Sequence, residues 1–440
     1  MTMASVDRTA GKVVPPTTRP SDVAQHDVRA NDRLPAAGGH KIRLLVFTSL
    51  YPNSAQPRHG LFIEGRLRRL VDSERVTATV VAPVPWFPFR HPMFGSYSIF
   101  ASVPKEEERH GIRILHPRYL VIPKLGMNVA PFLMYRALLP LLRKLRTGGK
   151  DFDLIDAHYF YPDGVAAARL GTAIGKPVVI SARGTDVTWI PRYAQPRRQI
   201  QGAAGSAAAV VTVSQALKDS LVAMAVDPGK ITVLRNGVDL DCFAPRDRTA
   251  IRTRLGLKGS VWLTVGHLVE LKGIDIVIEA LAQVPDTTLL IAGEGSEERK
   301  LRQLVERLGL GARVRFVGAI PHAELCGYYN AADAMVLASS REGMPNVVLE
   351  ALACGTPVVA TTVGGIPELI TDPVAGELMR ERRPEALARA WSTLQARKPD
   401  RAATRAFAER LGWQPVIDAQ CALYARVLSS RAGAALAKSA

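Results

Sequence analysis

The stretch DAMVLASSREGMPNVVLEALACGTPVVAT, residues 333–361, holds a complete structural unit. DAMVLAS is an apolar run of strand length, SREGMPN supplies turn residues, NVVLEALAC has the spacing of a short helix, and PVVAT is a second buried strand. A strand, a loop at its carboxyl end, a helix and a further strand are the parts of a parallel sheet with crossover helices. Pro345 suits the first turn of that helix, and Gly355 suits its C-terminal stop. The loop carries Glu342 and the helix carries Glu350, eight positions on. These acids are either ordinary surface carboxylates or fixed acceptors on either side of an anion site. Unbonded N–H groups at the helix start would hold an anion such as a diphosphate, and the acceptors would grip hydroxyls of a sugar and a ribose.

The same alternation runs outward in both directions. KIRLLVFTS (41–49), VTATVVAPV (76–84), DLIDAH (153–158), PVVISARG (177–184), SAAAVVTVS (206–214) and ITVLRNG (231–237) read as strands, separated by segments of helix length. After NGVDLDCFAP (236–245) the pattern restarts with SVWLTVGHL (260–268), TTLLIAG (287–293), VRFVG (314–318) and the opening unit. The expectation is an α/β chain of two Rossmann-like domains, 41–238 and 239–405, whose parallel sheets face each other across a cleft. The amphipathic stretch 406–430 either closes the second domain or returns to the first, and 431–440 reads as a tail.

Composition narrows the partners. Of 440 residues 47% are hydrophobic and 22% charged, as in a globular protein, and the length allows two cores. The net charge of +17 points to nucleic acid, an anionic lipid surface or a polyphosphate-bearing small molecule. Aromatics make up only 6% and no basic-aromatic module is present, so nucleic acid is set aside. Cys242, Cys326, Cys354 and Cys421 are scattered without metal spacing, which fits a reducing cytosol. Residues 1–40, rich in Pro, Thr, Ala and charge, lack a signal-peptide core and read as disordered. LGMNVAPFLMYRALLPLLRKL (125–145) is either a helix packed on a sheet or an interfacial segment docking on anionic lipid. The expected location is the cytoplasm, either free or peripheral on the inner face of the membrane.

Chemistry-bearing residues collect at the expected strand ends. In VGHLVELKGID (265–275), Lys272 is either a solvated surface charge or a cation that neutralises a diphosphate leaving group. In DAHYFYPDG (156–164), His158 either packs in the interior or points into the cleft. In RGTDV (183–187), Asp186 orients His158 or an acceptor, or else caps a helix. GEGSEE (293–298) lacks the third glycine of a dinucleotide fingerprint. DFD (151–153) and DLD (239–241) are not at strand ends with further carboxylates, so no catalytic metal is expected.

These residues carry a resemblance. REGMPNVVLE (341–350) resembles the E-x7-E signature of the retaining GT-B glycosyltransferases of family 4, and ACGTPVVATTVGGIPELI (353–370) is similar to that family's consensus almost throughout. The likeness extends from about 41 to 425. It implies that Glu342 faces the donor sugar and Glu350 binds the ribose. Gly343, Met344, Pro345 and Asn346 would then form the loop and helix start that hold the diphosphate. Gly266, His267 and Lys272 resemble the G-R-L…K-G element that clamps the phosphates. His267 stands where the family has arginine, with Arg341 as a substitute cation. PRHGLFIEG (57–65) resembles the loop in which Gly60 lets the backbone approach donor and acceptor, and His158 falls close to the reaction centre. Arg183 replaces the histidine of the family's H-G-x-D loop, which includes Asp186.

HYFYPDG, RGTDV and SREGMPNV are similar to the branch that assembles teichuronic acid and exopolysaccharide. The resemblance thus implies a metal-independent transferase without cofactor that uses a UDP- or GDP-linked sugar as donor and a lipid-linked or glycan acceptor. Two rivals are a nucleotide-sugar epimerase of the same architecture and a non-catalytic basic anion-binding protein.

Overall fold

A computed structural model describes residues 41–439 except 92, 94 and 122–125. The N-terminal segment 1–40, expected to be disordered, lies outside the described residues.

Two sheets organise the chain. The first has eight strands in the spatial order Ile231–Val233, Ala209–Thr212, Val178–Ala182, Leu154–His158, Ile42–Phe47, Val76–Val81, Ile112–Leu115 and Glu106–Arg109. Its pairs are parallel except the last, an antiparallel hairpin turned at His110 and Gly111. The second has six parallel strands in the order Val314–Gly318, Thr287–Ala292, Ser260–Val265, Ala334–Leu337, Val358–Thr361 and Gly376–Met379. Inner strands are buried along their whole length, as at Leu154–His158 and Val178–Ala182. Helices cover both faces of such strands, which is why they read in the sequence as continuous apolar runs.

Each sheet reverses its winding about one strand. Ile42–Phe47 lies between Val76–Val81 and Leu154–His158, and Ser260–Val265 lies between Thr287–Ala292 and Ala334–Leu337. Loops leaving the carboxyl ends of such neighbours diverge to opposite faces and open a crevice. Gly60, Lys272 and Glu342 follow Ile42–Phe47, Ser260–Val265 and Ala334–Leu337, His158 ends Leu154–His158, and Arg183 and Asp186 follow the next strand, Val178–Ala182.

The core explains how the pieces hold together. Trp262 and Trp391 meet edge to face, 5.6 Å apart, where helix Pro384–Arg397 covers the second sheet. One face of the first sheet is closed by helix Leu61–Asp72 and by the last helix, Trp413–Ser439. Ile417, Cys421, Leu423 and Tyr424 of that last helix join Leu44, Val46 and Ile63 in a single cluster. Residues 431–439, read from sequence as a tail, continue the helix, and their alanines are strong helix formers. Pro345 caps helix Asn346–Ala353 from one position before its first turn, and Gly355 follows its end.

Candidate active site

Lys272 and Glu342 come from loops after adjacent strands, Ser260–Val265 and Ala334–Leu337. Lys272 Nζ donates to Glu342 Oε1 at 2.6 Å, and Ser339 Oγ donates to the same oxygen at 2.7 Å. The stem of Lys272 runs past Gly266, its Cε 3.7 Å from where a Cβ there would stand. Lys272 is therefore not a solvated surface charge, since its side chain is 20% exposed and its cation is held against an acid.

Glu350 lines a cleft of about 680 Å³ between the two sheets. Gly60 and Phe62 form part of one wall, and His267, His322, Asn346 and Glu350 part of the other. Gly60 has φ of 78°, and a Cβ would stand 2.2 Å from the Leu50 carbonyl oxygen, so only glycine fits. Glu350 is not on a wet helix face. Its Oε2 accepts from the Tyr329 hydroxyl at 2.9 Å, and its Oε1 lies 2.9 Å from His322 Nε2. The hydrogen bond to Glu350 raises the His322 pKa, and the His322 ring meets Phe243 edge-on at 5.0 Å. Sequence reasoning passed over His322, Tyr329 and Ser339, because nothing in their spacing marks them as partners of the two glutamates. A second hollow of about 850 Å³, bordered by Lys176, Lys230 and Arg431, is larger. It lies away from the central strand ends, and Lys176 and Lys230 are already bonded to Asp151 and the Gly205 carbonyl.

His158 occupies a buried network beside the cleft. Arg183 Nη2 lies 2.5 Å from its Nδ1, and Asp156 Oδ2 lies 3.0 Å from its Nε2. A guanidinium can only donate, so Nδ1 is the acceptor and Nε2 carries the proton directed at Asp156. Burial, with Arg183 assisting, lowers the His158 pKa against the pull of Asp156, so the ring is neutral at pH 7. Burial and nearby Arg66 bring Arg183 down to about 9, which leaves it charged. The ring is 2% exposed, and both of its nitrogens are engaged within this network.

Asp156 also accepts from the Tyr424 hydroxyl at 2.7 Å, which links this network to the last helix. Asp186, expected to orient His158 or an acceptor, has its carboxylate turned to the backbone here. Its carboxylate accepts from the backbone N–H groups of Phe160, Arg183 and Gly184 and so fixes the loop. Asp163, in the turn after His158, accepts from Ser49 Oγ at 2.8 Å, and burial drives its pKa up to about 7.

A seam joins the two halves next to Glu342. A Cβ on Gly343 would stand 2.1 Å from the Arg183 carbonyl oxygen, so the two loops touch backbone to backbone. Asn236 Nδ2 donates to Asn346 Oδ1 at 2.9 Å. Glu368 accepts from the Gln215 and Ala216 N–H groups at the start of helix Gln215–Val222 and pairs with Arg235 at 2.7 Å. Arg341, expected as a substitute phosphate cation, stacks on Trp189, its guanidinium 4.1 Å from the ring centroid. Met344, expected against the donor, is 7% exposed and belongs to the apolar core. Among the described residues, no group of three or more His, Cys, Asp or Glu side chains is placed to hold a metal ion.

Two parallel sheets with a cleft at their switch points, and paired acids and a lysine at the strand ends, define the GT-B class of glycosyltransferase. Residues 247–410 match the family described as glycosyl transferases group 1, and residues 96–242 match glycosyltransferase family 4. A Bacillus subtilis (strain 168) protein named as a teichuronic acid biosynthesis glycosyltransferase, TuaC, is 32% identical over 336 residues, covering 74% of this chain and 83% of that protein. The D-inositol 3-phosphate glycosyltransferase of Segniliparus rotundus is 40% identical over 218 residues, 46% of this chain and 49% of its own length. Among solved structures, sucrose-phosphate synthase from Thermosynechococcus elongatus superposes with a TM-score of 0.70 at 21% identity, covering 89% of this chain and all (100%) of that one. Anabaena Alr3699/HepE in complex with UDP gives a TM-score of 0.68 at 25% identity over the same shares, 89% and 100%. The chain belongs to the family 4 glycosyltransferases of the GT-B fold.

Proposed function

We propose that the chain transfers a sugar from a UDP- or GDP-linked donor to a lipid-linked or polysaccharide acceptor in cell-surface polysaccharide assembly, working in the cytoplasm against an anionic membrane. The observation that carries this reading is the Lys272–Glu342 pair, which keeps an ammonium at a switch-point strand end beside an anion-ready helix start. The likeness to the Bacillus teichuronic acid glycosyltransferase and to the UDP-bound Anabaena structure supports the pathway and the donor class.

In this reading the diphosphate competes with Glu342 for Lys272 and lies against the start of helix Asn346–Ala353, which no side chain caps. Glu350, held by His322 and Tyr329, accepts from the ribose hydroxyls with its remaining lone pairs. Glu342, released from Lys272, faces the sugar. The bond from the anomeric carbon to the diphosphate oxygen breaks as the acceptor oxygen bonds on the same face, and the acceptor proton passes to the departing phosphate. Configuration is therefore retained. Lys272 and the helix start stabilise the charge that develops on the leaving group, and no metal is needed for that task.

A thermal-shift screen of UDP, GDP and ADP tests the donor site, because a bound ligand stabilises the fold by mass action. One diphosphate should raise the melting temperature, and Glu350→Ala should remove that rise. A rise that survives Glu350→Ala refutes the ribose assignment. Donor consumed with no acceptor present, and returned as an epimer, refutes transfer.

A further inference from the structure

The carboxyl edge of the first sheet extends beyond the cleft into an exposed apolar shelf. Past strand Val76–Val81, residues Val84–Pro85 pair with Arg118–Tyr119, and the Trp86 N–H donates to the Tyr119 carbonyl at 2.7 Å. This places Trp86, 51% exposed, beside Leu120, 59% exposed. Phe89 and Tyr97 follow, both exposed, with the Tyr97 ring 5.2 Å from that of Phe87. Helix Gly126–Thr147 starts against Val121 and leaves Met127 and Phe132 exposed. The Tyr161 hydroxyl donates to the Met127 carbonyl, and Gln199 donates to that of Asn128 at 3.0 Å. The start of the helix is thus fastened to the turn that follows His158. Among the described residues, eight of the fourteen large apolar side chains left exposed fall between 86 and 132, so the exposure is local and not a general property of the surface.

The charge around the shelf is mainly positive: its acids, Glu106, Glu107 and Glu108, lie on the sheet-edge strand, where Glu106 and Glu107 are bonded to Arg113 and His116. Residues 82–105 and 112–150 contain no aspartate or glutamate, while Arg90, Arg136, Arg143 and Lys144 are exposed there. Aromatic residues and arginine are common in protein interfaces as well, so the rings do not choose the occupant. The run of cations along helix Gly126–Thr147 with no carboxylate among them does, because rings beside long cationic side chains suit the boundary between acyl chains and anionic headgroups.

We propose that this shelf docks on an anionic bilayer. The rings enter the interface, the cations meet lipid phosphates, and the cleft opens next to the lipid surface. The inference deepens the membrane contact proposed above and rests on it. It adds the surface that makes the contact.

Vesicle flotation of the full chain tests it, using neutral phosphatidylcholine vesicles and vesicles with about a third phosphatidylglycerol, in low and high salt. Wild type should float with the anionic vesicles in low salt and be released in high salt. Trp86→Ser with Phe89→Ser, and separately Arg143→Glu with Lys144→Glu, should each lower the bound-to-free ratio by about tenfold or more. Arg299→Glu with Lys300→Glu, the same charge change on an exposed helix of the second sheet, should leave it unaltered. Unchanged melting of all variants shows that the fold is intact. If wild type floats and the shelf variants float equally, the shelf is wrong and the membrane contact stands. If wild type floats with neither vesicle, both readings fail. Equal binding to neutral vesicles in both salts overturns the anionic docking. A wild-type dimer in light scattering that Trp86→Ser dissolves would make the shelf a self-contact instead.

Discussion

Gly343→Ala isolates what the seam does. Gly343 does not have a left-handed φ, so alanine brings no backbone strain of its own. Its Cβ would stand 2.1 Å from the Arg183 oxygen, 3.0 Å from the Arg183 carbonyl carbon and 3.4 Å from the Gly184 Cα. Close carbon–oxygen contacts settle near 3.3–3.6 Å, so the loops must part by roughly 1.2 Å or more. All three atoms are backbone, so no side chain can swing away to absorb the clash. Glu342 is the next residue, and a displacement of about 1 Å at a reacting centre costs on the order of a hundredfold in rate.

The expected result in a nucleotide-release assay is a roughly hundredfold lower kcat together with weaker donor binding, because Gly343 sits next to Glu342 and within the loop proposed to hold the diphosphate. The melting temperature should change little, since neither sheet's own core is touched. Gly202→Ala serves as control: it lies in helix Ala194–Ser206 with nothing within 4 Å of the added carbon, and activity should be normal. A Gly343→Ala enzyme within about threefold of wild type would show that the seam does not set the catalytic geometry. Melting depressed as far as by a core cavity, about 2–5 kcal/mol, would show instead that the seam is part of the fold itself.

Lys272→Ala should lower kcat by at least about a hundredfold, as does loss of one transition-state charge partner. Adding Glu342→Gln removes the carboxylate left without its cation and should restore stability but not turnover, and near-normal kcat in the single variant would take Lys272 out of the mechanism. Asp163→Asn should make stability less sensitive to pH. The folded pKa of Asp163, about 7, lies above the ordinary 3.8, so its contribution is full below about 4 and is lost as pH rises through 7. The variant keeps an acceptor for Ser49 and should gain on wild type by about 2–4 kcal/mol more at pH 8 than at pH 4. An equal gain at both pH values would refute the assignment.

The fold class was legible because most inner strands are apolar on both faces, so strand and helix alternate visibly. The hairpin Glu106–Leu115 was not legible: EEERHGIRIL is charged where it forms the sheet edge, and nothing local shows which strand it joins. At the site, Lys272 and Glu342 could be read as strand-end residues and Glu350 as a residue of the helix that follows. That Lys272 bonds Glu342 depends on strands 260–265 and 334–337 lying side by side, which non-sequential winding decides. Asp156 could have been found, since residues two apart in a strand share a face and Asp156 stands in that relation to His158. Tyr424 could not, because it reaches Asp156 across 268 positions of sequence.

The return of the last helix sets an order of events during synthesis. An ordinary two-domain chain completes its first domain while the second is still being made. Here Ile417 and Tyr424 close the face of the earliest strands, so that layer stays open until the segment carrying them has left the ribosome. Val46, Val80 and Ile114 have only helix Leu61–Asp72 over that face through the making of the entire second sheet. A nascent chain arrested before position 413 should therefore be the species that chaperones hold longest.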